Sequence, residues 1–118
     1  EKIRVVQSFP IMRSRSCFDF AVIAGGYNSI NECVLLRLPS VIIPNHKTSR
    51  DDQPGRAERA SKTGGAIVVE KIDKGMIGLA LDRICDDDVR AEMAQSLVMS
   101  HADDGAEYLA DNIISSIQ

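Results

Sequence analysis

The stretch FAVIAGGYNSINE, residues 20–32, constrains the chain more than any other. Residues 20–24 form a short uncharged run of the kind that makes a strand buried on both faces. Gly25 and Gly26 follow at once. Asn28 and Ser29 come next, both favoured helix N-caps, and then Ile30, Cys33 and Val34 at helical spacing. A strand, a glycine turn and a helix N-terminus together make a socket for an anion. The first N–H groups of a helix have no internal partner, and the helix dipole makes that end positive. Glycine lets a phosphate reach the backbone because no Cβ intervenes. The competing reading is a tight turn in which the two glycines only relieve strain, and this stretch does not decide between them.

The rest of the chain is organised to hold such a turn. Residues 3–7 read as a first strand, and Pro10 opens a short helix through residue 15, where its missing N–H costs nothing. After a helix over 29–37, Leu38-Pro39 breaks the chain, and residues 40–43 make a third apolar strand closed by Pro44. Residues 45–51 are polar, a loop at a strand C-terminus where α/β folds place ligands. Residues 52–62 read as a helix with Ala57 and Ala60 facing inward, ended by Gly64-Gly65 in left-handed geometry. Residues 66–69 are a fourth strand. Asp73 caps a helix to residue 85 with Ile77, Leu81 and Ile84 on one face. Asp86-Asp87-Asp88 starts another, its acidic groups serving the positive helix end rather than a metal. From Gly105 onward, Ala106, Leu109, Ala110, Ile113, Ile114 and Ile117 form a packing face. Strand and helix alternate and helices finish the chain. The expectation is an α/β fold, an open, Rossmann-like, mostly parallel sheet with helices on both faces, in one domain spanning 1–118.

At 118 residues, one domain buries roughly two-thirds of its unfolded surface. A net charge of −3 argues against nucleic acid as a partner, and Arg13 with Arg15 reads as a solvated face. Cys17, Cys33 and Cys85 are far apart, with no C-x-x-C, and read as buried reduced thiols in a cytoplasmic setting. The chain reads as one without a signal peptide, and its most apolar window, 34–44, contains Arg37, Pro39 and Pro44 and cannot span a bilayer. The chain begins with Glu, which reads as a fragment or a processed product.

Two further features bear on the anion socket. Glu32 sits within a turn of it, where the ribose of a nucleotide would lie, and a carboxylate accepts from both ribose hydroxyls. Ser29 to Glu32 is equally a capping box, in which Glu32 serves only a backbone N–H. Asp52-Gln53 follows the strand at 40–43. An acid beside an amide offers acceptors and donors together, which suits sugar hydroxyls. The alternative is helix capping by Ser49 or Asp51, with Pro54 in the first turn.

The ordered set DFAVIAGGYNSINE, LPSVIIP, DDQPGRA and GGAIVV resembles the C-terminal domain of GT-B glycosyltransferases. It is most like the branch containing the bacterial N-acetylglucosaminyltransferase of peptidoglycan lipid synthesis. The likeness runs from about residue 5 to the final helix. It implies that this domain binds a nucleotide-sugar donor, a UDP-sugar, with no cofactor and no metal. Gly25, Gly26, Tyr27, Asn28 and Ser29 would take the diphosphate, Glu32 the ribose, and Phe9 the base through its backbone. Asp52 and Gln53 would contact the sugar, and His46 in the neighbouring loop is a further candidate there. Tyr27 and Asn28 replace the small residues of the family, and Arg56 stands where that branch carries Asn.

The resemblance also implies that the domain is incomplete at its N-terminal side. A missing N-terminal half, or a partner chain, would carry the acceptor site and catalytic base and any peripheral attachment to the membrane surface. The reaction expected is inverting transfer to an unknown acceptor, with the isolated chain inactive. Alternatives are a UDP-sugar 2-epimerase-like fragment, which needs further acidic catalytic groups, and a non-catalytic nucleotide-sugar-binding subunit. His101 reads as a surface residue of a helical connection.

Overall fold

The computed structural model describes residues 3–7, 13, 16–100 and 105–117, of which 105–110 are described by their backbone alone. The element order is β1 (Ala21–Ile23), α1 (Tyr27–Leu35), β2 (Ser40–Ile42), α2 (Gln53–Lys62), β3 (Ala66–Val68), α3 (Lys74–Ile84), α4 (Asp87–Met99) and α5 (Gly105–Ile117). The three strands pair in parallel in the order β1-β2-β3. Ala21, Ser40 and Ala66 lie at one level of the sheet, and Ile23, Ile42 and Val68 at the other end. All three strands therefore stop on one line, and the turns after them leave the same edge.

Side-chain alternation along β2 divides the core. On one face Ile42 packs with Ile30 of α1 and Ala57 and Ala60 of α2. On the other, Val41 packs with Ala80 and Ile84 of α3, Met93 of α4 and Val69. The small Ala57 and Ala60 let α2 lie close to the sheet. Val41 and Ile42 are essentially inaccessible, each worth about 1.5–3 kcal/mol of burial. The expected α/β architecture, with helices on both faces of a parallel sheet, is what the chain forms.

Side-chain oxygens start three of the helices. Asp52 accepts from the Gly55 N–H, Asp73 from that of Met76, and Asp86 from those of Asp88 and Val89. At the far end of α2, Gly64 takes a φ of +81° and donates to the Ser61 carbonyl, the left-handed stop expected there.

Several expectations are corrected. Residues 3–7 join no ladder and are exposed, Val5 almost fully, because no described neighbour supplies the hydrogen bonds a strand requires. β1 is not buried on both faces. Among the described residues it is one of two edge strands, and Val22 is half exposed because the α3–α4 layer packs over β2 and β3. α1 spans Tyr27–Leu35 rather than 29–37. Its end is set by Arg37, whose φ of +54° turns the chain so that Arg37 N–H reaches the Val34 carbonyl and Leu38 N–H that of Cys33. Leu38 is thereby buried. α5 forms, but Ile113, Ile114 and Ile117 are exposed, with nothing described to cover them. Cys33 is buried as expected, whereas Cys17 and Cys85 are exposed free thiols. The expected helix at 10–15 falls outside the described residues apart from Arg13, and His101 lies outside them altogether.

Candidate functional site

Because β1 and β2 end level with each other, α1 and α2 begin side by side at one sheet edge. The glycine turn lies between β1 and α1, and the polar loop between β2 and α2. Gly25 is buried against the start of α2: a Cβ added there would stand 2.8 Å from the Gln53 Cβ and 3.0 Å from its carbonyl oxygen. Close packing therefore demands a glycine at 25.

Gly26 has no such reason. It is the N-cap of α1 with φ −66° and ψ 143°, a conformation open to any residue, and no described atom lies within 4 Å of where its Cβ would be. The strain-relief reading fails for both glycines. Neither is among the residues with positive φ.

With Gly26 as cap, the expectation that Asn28 or Ser29 caps the helix is overturned, since Tyr27, Asn28 and Ser29 form its first turn. The Ile30 N–H is the first to close a helical bond, to the Gly26 carbonyl. The N–H groups of residues 27–29 precede it and have no carbonyl one turn back to accept them. No side-chain cap and no acidic residue serves this end, in contrast to α2, α3 and α4 with their aspartate caps. Tyr27 and Asn28 are exposed and Ser29 is half-buried.

Glu32 cannot form a capping box with Ser29, because Ser29 is inside the helix. Helical spacing sets Glu32 on the face of Asn28 and Ser29, and its side chain leans toward the helix N-terminus. No hydrogen bond or ion pair holds its carboxylate among the described residues.

The loop is held by its own polar groups. The Gln53 Oε1 accepts from the Asn45 N–H at 2.9 Å, and its Nε2 donates to Asp51 Oδ2 at 3.2 Å. Asn45 Oδ1 in turn accepts from the Lys47 N–H. The Gln53 amide retains one N–H and one acceptor lone pair. Asp52, one of the three residues read as sugar ligands, is also the cap of α2, a role assigned from sequence to Ser49 or Asp51. Asp52→Ala should therefore lower stability by about 0.5–2 kcal/mol while Asp52→Asn stays near wild type, measured by urea unfolding of the ligand-free chain.

His46 lies in the exposed loop with Nε2 2.7 Å from the Glu70 carbonyl oxygen. A carbonyl only accepts, so Nε2 carries the proton and the ring ties the loop to the end of β3. An open cleft of about 350 Å³ runs along the loop, lined by His46, Thr48, Ser49, Arg50, Asp51, Asp52 and Pro54. His46 and Asp52 share it, while Gln53 is turned inward to Asn45 and Asp51.

Arg56, noted from sequence only as a departure from the family, has contacts that sequence reasoning did not foresee. Its Nε donates to the Gly25 carbonyl at 3.1 Å and its Nη2 pairs with Asp51, joining the glycine turn to the loop. Asp51 is held below the usual carboxylate value, first by the hydrogen bond from Arg56 and then by that from Gln53. A lowered value means that the carboxylate's contribution is present above the ordinary 3.8 and is lost as pH falls through the lowered one. Phe9 falls outside the described residues. Among them, no helix is long and apolar enough to cross a membrane.

Comparison with protein families matches residues 18–109 to the glycosyltransferase family 28 C-terminal domain. Comparison with curated proteins and with solved structures returns no match.

Proposed function

The chain belongs to the glycosyltransferase family 28 C-terminal domains, and from that premise we propose that it binds the diphosphate of a UDP-sugar on the bare N-terminus of α1. It then serves as the donor half of an inverting, metal-independent transferase. The observation that carries this reading is Gly26, a glycine that neither backbone conformation nor packing among the described residues requires. Open space there admits a phosphate to the N–H groups of residues 26–29, which α1 leaves without a carboxylate.

In this reading Glu32 accepts from the ribose hydroxyls and Phe9 meets the base. Asp52 and His46 face the sugar from the cleft, and Gln53 offers it the one N–H and one lone pair that its loop contacts leave over. An acceptor hydroxyl, its proton taken by a base on a separate N-terminal domain or partner chain, attacks the anomeric carbon. The C–O bond to the diphosphate breaks with inversion and UDP departs carrying the electron pair. Negative charge grows on the diphosphate during that step, where oriented backbone N–H groups stabilise it without reorganising. The α1 dipole adds about 0.3–2 kcal/mol. The branch we favour is that of the peptidoglycan lipid N-acetylglucosaminyltransferase, with the chain working in the cytoplasm or at its membrane surface.

A thermal-shift panel of UDP, GDP, TDP and their sugars tests the donor. UDP ligands should raise the melting temperature most, and a flat panel would sink the reading. Within it, Gln53→Ala should weaken a UDP-sugar by about the 0.5–1.5 kcal/mol of one hydrogen bond and leave UDP nearly unchanged by calorimetric titration. An equal loss for both ligands would mean that Gln53 shapes the loop instead.

A further inference from the structure

We propose that Arg56 is a positioning residue of the donor site, one that aims the glycine turn and the sugar-reading loop together without itself touching the phosphates. The assignment rests on the donor reading above for its ligand, and on the Arg56 contacts for its geometry.

The Arg56 side chain is about one-fifth exposed and its guanidinium is engaged at both ends. Its Nε holds the carbonyl of Gly25, the residue before the α1 cap. Its Nη2 pairs with Asp51, whose second oxygen accepts from Gln53 Nε2, and the Gln53 Oε1 accepts from Asn45 N–H. A continuous path of polar contacts thus runs Gly25, Arg56, Asp51, Gln53, Asn45. Gly25 also packs directly on Gln53, so the two loops meet twice, once by contact and once through the arginine.

A planar guanidinium bound at two edges fixes direction as well as distance, which a lysine ammonium does not. Fixing the Gly25 carbonyl fixes the peptide plane that follows it, and that plane carries the N–H of Gly26. The Asp51 carboxylate beside the guanidinium offsets the charge that a phosphate would otherwise meet.

Direct ligation and positioning predict opposite signs for one substitution. A phosphate-binding Arg56 would gain from Asp51→Asn, which removes a competing anion, and would tolerate Arg56→Lys, which keeps the charge. A positioning Arg56 loses in both. The experiment uses the whole chain, with amide NMR of the ligand-free protein and calorimetric titration with UDP, on wild type, Asp51→Asn and Arg56→Lys. Positioning is supported if the Gly25 and Gly26 amide resonances move in both variants and UDP binds roughly fivefold to tenfold more weakly in each, with melting temperatures close to wild type. Tighter UDP binding by Asp51→Asn overturns it, as do unchanged amides at 25–29 in both variants. Should wild type bind no UDP while those amides still move, the donor reading fails and the link from Arg56 to the turn stands.

Discussion

Gly25→Ala is expected to destabilise the fold by about 1–3 kcal/mol, the cost of driving an extra methyl into a packed contact. The neighbours it would strike are the Cβ, carbonyl oxygen and Cα of Gln53, at 2.8, 3.0 and 3.2 Å, and two of the three are backbone that cannot swing aside. Strain relieved by moving α2 would also stretch the Arg56 bond to the Gly25 carbonyl. Gly26→Ala should behave in the opposite way. Its conformation suits alanine and the space is open, so the midpoint of denaturant unfolding should stay near wild type while UDP affinity falls, because a methyl would stand in the path proposed for the phosphate. Unfolding in urea beside calorimetric titration separates the two. If Gly26→Ala binds UDP like wild type, the diphosphate does not sit at this turn.

Glu32→Gln is expected to lower UDP affinity by roughly 1.5–3 kcal/mol, the scale of a hydrogen bond to a charged group. Gln offers one neutral acceptor where Glu offers two charged ones. The start of α1 at Tyr27 removes the capping role that would have complicated the experiment. Both Glu32→Gln and Glu32→Ala should therefore keep the melting temperature of the ligand-free chain. The control ligand is 2′,3′-dideoxy-UDP, which wild type should bind about as poorly as Glu32→Gln binds UDP. Equal UDP binding by wild type and Glu32→Gln removes the ribose assignment.

What could be read from sequence follows the range over which each determinant acts. Asp73 sits directly before an apolar periodic segment and Asp86 opens an acidic run, and both cap the helices expected of them. Gly64, the inward Ala57 and Ala60, and the apolar strand over 40–43 were legible for the same local reason. The start of α1 was not. Asn28 and Ser29 have the better capping propensity, yet the short turn out of β1 starts the helix at Tyr27. Nor could sequence distinguish Asp51 from Asp52 as the cap of α2, since adjacent aspartates have equal propensity. An apolar run does not tell an edge strand from a central one, and so the exposure of Val22 was hidden. Periodicity likewise gives the apolar side of α5 without saying what covers it. The link from Arg56 to Gly25 joins residues 31 apart, beyond the reach of any local pattern.

The bare start of α1 has a consequence for the unliganded chain. The Cβ of an aspartate at position 26 would meet no described atom beyond its chain neighbours, and as cap the residue would contribute a few tenths of a kcal/mol over glycine and about 0.3–1 kcal/mol through its charge at the helix end. The fold forgoes that stability at the first turn of one helix while securing it in three others. A diphosphate bound there, as proposed above, would act as the missing cap, so occupancy would stabilise the whole chain by mass action with its ordering effect concentrated within a few residues of Gly26.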